Sequence, residues 1–387
     1  MDYQNLGTLV KRKIGYGIVQ PGQSINNGVP VIKVNNIISG LTSPSDLDTT
    51  SSENSEKYSR TQLVGGELII SVVGTVGKTC IVPKSFAGCN LVRATALIDI
   101  REAWLARWVK YYIDSPMGQA YIEQNLNTTV QPTLNIKTLV EMPIPFFDVE
   151  TMKKAIAVLQ SIDEKIELNR QINDNLQQQA FALFDRLIVE ADNSECLVSE
   201  IAYLNPKRPL SKNKVARCID MSQLSTSGAF PSGWEMKPFT GGMRFSNGDT
   251  LLARITPCLE NGKTAYIDFL DDKEVAFGST EYIVLAPKEG VPPEYLYCLA
   301  RYPAFVDYAV KNMNGSSGRQ RVSADTIGQY VMPRPSESAI RDFGSVVSAL
   351  FLKMKNNSLE NIRLALLRDA LLPKLMSGEI DASDIQL

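Results

Sequence analysis

The sequence predicts an α+β protein in which two mixed α/β domains are separated by two long helices, and these pair as an antiparallel coiled coil with pseudo-twofold symmetry. Three observations lead there. A heptad-patterned stretch of thirty-six residues occurs twice, at 152–187 and 340–375, offset by 188 positions without a gap. Each copy follows a segment of short β-rich runs broken by Gly, Pro, Asn and Ser. Those two segments echo each other at several short motifs. The order is therefore domain, helix, domain, helix, with boundaries at 1–147, 148–194, 195–335 and 336–387.

The helices are the clearest elements. In the first, the a positions are Met152, Leu159, Ile166, Asn173, Ala180 and Leu187, and the d positions are Ala155, Ile162, Asn169, Leu176 and Leu183. In the second, a reads Ile340, Val347, Met354, Asn361, Arg368 and Leu375, and d reads Phe343, Leu350, Asn357, Leu364 and Leu371. A sustained 3.5-residue apolar period marks a coiled-coil helix. Both copies place asparagine at the same two seam positions, Asn169 and Asn173 matching Asn357 and Asn361. Paired seam asparagines fix register and orientation at some cost in stability. The alternative is that they are ordinary polar seam residues. Asp148 and Ser336, also 188 apart, are good N-caps. Pro145 and Pro333 precede them, and Ser377-Gly378 supplies a stop for the second helix. Pro373 is expected to bend or end regular helix near Leu371.

The globular segments read as strands and short helices. The runs 29–34 and 68–73 are β-rich, and a helix is expected over 104–113. Gly66-Glu67-Leu68-Ile69-Ile70-Ser71 parallels Gly248-Asp249-Thr250-Leu251-Leu252-Ala253, and Gly77-Lys78-Thr79 parallels Gly262-Lys263-Thr264. The short link near 189–195 places the second domain between the end of one helix and the start of the next, so antiparallel packing is the simplest solution.

Composition narrows the chemistry. The chain has 387 residues and a formal net charge of −2, so it carries no global basic field; phosphate contact would need local patches. It contains no histidine, which removes the commonest general base, the usual nucleophile triads and most zinc sites. Six scattered cysteines without a C-x-x-C pair imply a reduced, cytoplasmic protein with no structural metal. The start, Met1-Asp2-Tyr3-Gln4-Asn5, lacks the basic and apolar stretches of a signal peptide, and no apolar run is long enough to cross a membrane. The Gly-Lys-Thr triplets are not phosphate-binding P-loops. That loop needs an earlier glycine where Val72 and Pro257 stand, so a lysine-bearing turn between strands is the better reading. The acidic run Asp271-Asp272-Lys273-Glu274 reads as a solvated turn. Methyltransferase and dinucleotide motifs are absent from the sequence.

Two polar loops stand out, 125–131 (Asn-Leu-Asn-Thr-Thr-Val-Gln) and 314–321 (Asn-Gly-Ser-Ser-Gly-Arg-Gln-Arg). They occupy matching places, just before the strand-like stretch leading into each long helix. Gln, Asn and Arg make bidentate contacts to adenine and guanine edges, while Ser, Thr and glycine amides suit phosphates. A flexible polar loop is the plainer alternative.

With these residues in view, the whole chain resembles the specificity subunit of type I restriction-modification enzymes. The resemblance is carried by residues 248–263 (Gly-Asp-Thr-Leu-Leu-Ala-Arg-Ile-Thr-Pro-Cys-Leu-Glu-Asn-Gly-Lys), by 162–169 (Ile-Asp-Glu-Lys-Ile-Glu-Leu-Asn), and by 371–380 (Leu-Leu-Pro-Lys-Leu-Met-Ser-Gly-Glu-Ile). The first domain, with 15–22 and 32–37, looks like a different class of target recognition domain, because it lacks the Thr-Pro-Cys-x-Glu-Asn-Gly-Lys run. The resemblance implies a non-catalytic chain whose two target recognition domains each read half of a split, asymmetric double-stranded DNA site. It implies two methyltransferase subunits docked on the helices, with S-adenosylmethionine bound there and no cofactor in this chain, and restriction-translocase subunits joining that core. Thirty-six helical residues span roughly 54 Å, on the order of 16 base pairs.

On this reading the DNA-facing residues of the first domain are Lys78, Arg93, Thr129, Gln131 and Thr133. Those of the second are Arg254, Lys263, Ser316, Ser317, Arg319, Gln320 and Arg321, the last three being foremost. Phe181, Phe184 and Ile188 lie off the heptad seam and are candidates for holding the methyltransferase; alternatively they broaden the intramolecular interface. The rival from another class is a coiled-coil scaffold presenting two protein-binding domains without DNA recognition.

Overall fold

The computed structural model describes residues 2–127, 131–191, 194–316 and 318–382. Two 41-residue helices dominate it, Val149–Val189 and Glu337–Ser377. Their starts follow the predicted caps. The Asp148 carboxylate accepts from the Thr151 amide at 3.1 Å, and the Ser336 hydroxyl accepts from the Ala339 amide at 3.2 Å. Each cap satisfies an amide that has no intrahelical partner. The expected break at Pro373 does not occur, since the second helix continues through it to Ser377. Proline forfeits one amide bond there, but Leu372, Leu375 and Met376 on the same turns are buried in the core, and that packing outweighs the loss. Gly378, at φ +72°, then ends the helix, and the Ile380 amide donates back to the Lys374 carbonyl.

Backbone proximity divides the chain into two compact units, Met1–Asp163 with Leu366–Leu387, and Glu164–Ala365. Compactness thus groups each globular segment with parts of both helices, instead of separating the helices as segments of their own.

In the first unit, an antiparallel four-stranded sheet runs in the order Gly15–Tyr16, Thr95–Ile98, Leu68–Ser71, Thr79–Ile81. A three-stranded sheet orders Thr49–Thr50, Val29–Ile32 and Asn90–Leu91, the last pair parallel. A ribbon joins Asp2–Asn5 to Pro143–Phe146, so Pro145 lies within a strand. The central strand Leu68–Ser71 is buried throughout because both its faces are covered. Leu68 and Ile70 enter one core with Trp108, Val109 and Leu159, while Ile69 enters another with Ile32, Phe86 and Leu97. A strand buried on both faces reads as a continuous apolar run. The expected helix is present as Ala103–Asp114.

The second unit repeats the plan. Its antiparallel sheet runs Ala202–Leu204, Tyr282–Pro287, Thr250–Ala253, Thr264–Tyr266. Its other sheet orders Glu235–Pro238, Val215–Ile219, Ala276–Gly278 and Met243–Phe245, with Val215–Ile219 parallel to Ala276–Gly278. Glu195–Leu197 pairs with Val331–Pro333. Both units bury an acid just before the central strand. Glu67 accepts from the Val64 and Gly65 amides and from Arg12, and Asp249 accepts from the Ser246 amide and from Arg208 Nε at 2.8 Å.

The helix segments within each unit run antiparallel. In the first unit Asp163 bridges them, taking Tyr111 Oη at 2.8 Å and Arg368 Nη1 at 3.0 Å. Arg368 is the charged seam residue, and Asp163 together with Asp369 neutralises it. In the second unit the four asparagines meet. Asn169 Nδ2 donates to Asn361 Oδ1 at 2.9 Å, and Asn357 Nδ2 donates to Asn173 Oδ1 at 2.9 Å. Asn173 Nδ2 reaches the Met354 carbonyl at 3.2 Å, and Asn361 Nδ2 reaches the Ile166 carbonyl at 3.2 Å. Shifting every number by 188 exchanges the members of each of these two pairs of bonds, so this part of the seam has a local twofold relation. Asn357→Ala is expected to cost about 1–3 kcal/mol, because it strands Asn173 Oδ1 in the seam. A denaturant midpoint equal to wild type would make these asparagines ordinary polar surface.

Candidate nucleic-acid interface

The two polar loops are held by the same main-chain frame. In the first unit, the Leu134 amide donates to the Val72 carbonyl, the Val72 amide to the Ala94 carbonyl, and the Gly74 amide to the Pro132 carbonyl. Val73 bridges to Thr133, which pairs back with Asn127. In the second, the Val322 amide donates to the Arg254 carbonyl, the Arg254 amide to the Glu281 carbonyl, and the Thr256 amide to the Gln320 carbonyl. Ile255 bridges to Arg321, which pairs back with Asn314. Residues 72, 94, 127 and 133 thus correspond to 254, 281, 314 and 321. In each, the returning limb bonds to the chain just past the central strand, and the outgoing limb bonds to the returning one.

The lysine turns are hairpin tips, as expected. Gly77 and Gly262 have φ of +85° and +71°, the left-handed conformation that glycine takes without strain. A side chain clamps the carbonyl of each: Gln119 Nε2 reaches Gly77 at 3.2 Å, and Arg301 reaches Gly262. Lys78 is exposed and shows no side-chain bond to the described residues, whereas Lys263 Nζ donates to the Met221 carbonyl at 2.7 Å.

The other candidates divide by exposure. Arg93 and Gln131 are exposed in the first unit, with Gln131 Nε2 lying close to Gly74. Thr133 is half-buried, and its hydroxyl donates to the Gln131 carbonyl at 3.0 Å. Thr129 and Ser317 lie outside the described residues. In the second unit Ser316 and Arg319 are exposed, and Gln320 is half-buried. Its backbone amide donates to Thr256 Oγ1 at 3.1 Å, which fixes the main chain there. Arg321 is not a free donor standing beside Arg319. Its guanidinium grips Glu281, with Nε at 3.0 and 2.9 Å from the two carboxylate oxygens and Nη2 at 2.7 Å from one of them. The Arg321 hydrogen bonds, ahead of its charge and that of Arg254, hold the Glu281 carboxyl below the usual glutamate range. Arg254 is half-buried and its Nε lacks a partner among the described residues.

Sequence reasoning missed Glu281. The available signal was its position one residue before the most apolar strand of the unit, where its counterpart is Ala94. The reading of Phe184 and Ile188 as a partner-facing surface is corrected by the structure. Phe184 is 1% exposed and Ile188 6%. Phe184 packs edge-on against Tyr295, Tyr302 and Phe343, with centroids 5.0, 5.6 and 6.0 Å away. These are core residues, because the apolar stripe of the helix here is wider than a and d. Phe181 is half-exposed and stacks on Tyr297. The run 271–274 is a turn clamped by Arg217, which pairs with both Asp271 and Glu274.

Comparison with known proteins finds relatives for parts of this chain. Residues 16–178 match the model of the type I restriction modification DNA specificity domain. That stretch is similar to the type I specificity domain. Among curated relatives, the EcoBI specificity subunit of Escherichia coli is 27% identical, over 49% of this chain and 36% of that protein. The HindI specificity subunit of Haemophilus influenzae is 25% identical, over 67% of this chain and 73% of that protein. The chain therefore matches about a third of the first relative's length and most of the second's. An S subunit from M. genitalium of known structure shares the fold at a TM-score of 0.56 and 16% identity, covering 96% of this chain and 95% of that one. In this chain the paired loops are a shared frame bearing different side chains.

Proposed function

We propose that this chain is the non-catalytic DNA-reading subunit of a type I restriction-modification complex, each unit addressing one half of a split, asymmetric duplex site. One observation carries the reading: an identical main-chain frame presents Lys78, Arg93 and Gln131 in one unit, and Arg254, Lys263, Arg319 and Arg321 in the other. Frames that match while their polar side chains differ are what two related readers of different sequences require. Local basic groups on these tips supply the phosphate attraction that the net charge of −2 does not.

Catalysis, on this proposal, belongs to partners. The sequence has no histidine. Burial pushes the thiols of Cys80 and Cys218 up to about 11, which keeps them protonated and poor nucleophiles near neutral pH. Two methyltransferase subunits would bind S-adenosylmethionine, with restriction-translocase subunits joining them in the cytoplasm. No helix of the described residues is long and apolar enough to cross a membrane. With Phe184 and Ile188 internal, the apolar helix side chains open to a partner include half-exposed Phe181 and the exposed Leu168, Val346, Leu352, Leu366 and Leu367. A scaffold without DNA recognition would have no need of arginine and glutamine on rigidly based loops.

The test is co-expression with the neighbouring methyltransferase gene and mapping of adenine methylation across the host genome. A split, non-palindromic motif is expected, and methylation without a motif removes the reading. Arg319→Ala is expected to relax one position of one half-site, at a cost of about 1–3 kcal/mol. Unchanged base preference in the variant would take Arg319 out of the interface.

A further inference from the structure

Superposing the frames in register brings out one difference in kind. The second unit carries Arg254, Glu281 and Arg321 where the first carries Val72, Ala94 and Thr133. Three charged side chains therefore occupy positions whose backbones are bonded alike. The charged set is not needed to build the frame, since the first unit builds it without charges. Its purpose must lie in what it presents.

The pairing pattern shows what that is. A guanidinium has two forks, a side-on one from Nε and Nη2 and an end-on one from Nη1 and Nη2. Glu281 occupies the side-on fork of Arg321 with both carboxylate oxygens. The other bond of the group among the described residues runs from Nη1 to the Arg319 carbonyl at 3.2 Å. Nη1 carries two hydrogens and spends one on this bond, and Nη2 carries two and spends one on Glu281, so each end nitrogen retains a donor. Arg321 is thus held by two partners, is 40% exposed, and keeps a donor on each of the two nitrogens of its end-on fork.

We infer that Glu281 is a positioning residue that holds Arg321 end-on for bidentate recognition of a guanine, so that the second unit reads a G·C base pair with a side chain that the first unit lacks at the matching frame position. Guanine offers O6 and N7 as paired acceptors in the major groove, which suits an arginine fork. A phosphate would also accept the fork, but the Glu281 carboxylate cancels the charge of Arg321, which weakens its pull on an anion more than its hydrogen bonds to a neutral base edge. Pre-organisation matters because a free arginine side chain loses considerable rotamer entropy on ordering, and Glu281 has already imposed that loss in the unbound protein. The lowered carboxyl pKa of Glu281 fits a group that stays ionised beside two arginines.

This inference rests on the DNA-reading function proposed above. Its test uses the full chain co-purified with its methyltransferase, and selects bound duplexes from a randomised library to obtain base preference at every position. Glu281→Gln, which keeps the shape and removes the charge, is expected to reduce preference roughly tenfold at one G·C position. Arg321→Lys, which keeps a charge and removes the fork, should affect that same position, with the rest of both half-sites unchanged. Restoration of the preference by Glu281→Asp would support positioning by the carboxylate. An unchanged profile in Glu281→Gln overturns the inference while the DNA-reading function stands, and so does an equal loss at all positions, which would mark a phosphate contact or a folding defect. A wild-type complex with no base preference overturns both.

Discussion

Phe184→Ala is expected to destabilise the second unit by about 3–5 kcal/mol, the range for removing a buried aromatic side chain and leaving a cavity. The ring is enclosed by Tyr295 of the helix Pro293–Arg301, by Tyr302 at that helix's C-cap, and by Phe343 of the second long helix. Deleting it empties the point where helix pair and globular core share one hydrophobic cluster. Phe184→Asp would be worse, since it buries a carboxylate in an apolar cluster with no cation paired to it. Urea unfolding followed by hydrogen exchange of amides in Thr250–Ala253 and Tyr282–Pro287 measures the effect on this unit alone. A loss below about 1 kcal/mol would return Phe184 to the surface and restore it as a candidate partner contact. Because a single transition is not assured for a chain of two units, the regional amides are a better readout than one melting midpoint.

Arg208→Ala is expected to have a comparable effect for an electrostatic reason. Asp249 is 1% exposed, and its carboxylate is held by Arg208 and the Ser246 amide. Removing one partner of a buried pair leaves an uncompensated charge and costs about 3–5 kcal/mol. Burial already holds the Asp249 carboxyl above the ordinary aspartate range despite Arg208. Without the arginine it rises further. A carboxyl raised on folding is penalised above its folded pKa and relieved below it, so the deficit of the variant should shrink as pH is lowered through that value. Stability of Arg208→Ala measured across the acidic range checks the sign. A deficit that is constant with pH would mean that Arg208 acts through packing of its stem and not through charge.

Much of this architecture is legible in the sequence because it is periodic or duplicated. The heptads locate both long helices, the 188-residue offset locates their caps, and the run 68–71 locates a central strand. Strand pairing within each globular segment is not legible, since it joins residues far apart, such as Val31 with Asn90. Pro373 misleads because a local rule meets a buried final turn, and tertiary packing decides. Phe184 and Ile188 mislead because two heptad positions describe a narrow seam, while a helix that also faces a globular core buries a wider stripe. For the candidate interface, the sequence identifies the loops and their matched placement, but not the state of each side chain. Arg319 and Arg321 look alike in the sequence. In the fold one is exposed, and the other is bound by Glu281 from a turn forty positions earlier.

The frame beneath the two loops also has a consequence for change over generations. It is held by bonds from main-chain amide to main-chain carbonyl, and these are indifferent to which side chain each residue bears. Val72 and Arg254 donate and accept alike, as do Thr133 and Arg321. Substitution at such positions can therefore drift or be selected for a new target with little penalty in folding. The inherited part of the molecule and its inventive part occupy the same residues, one in the backbone and the other in the side chains.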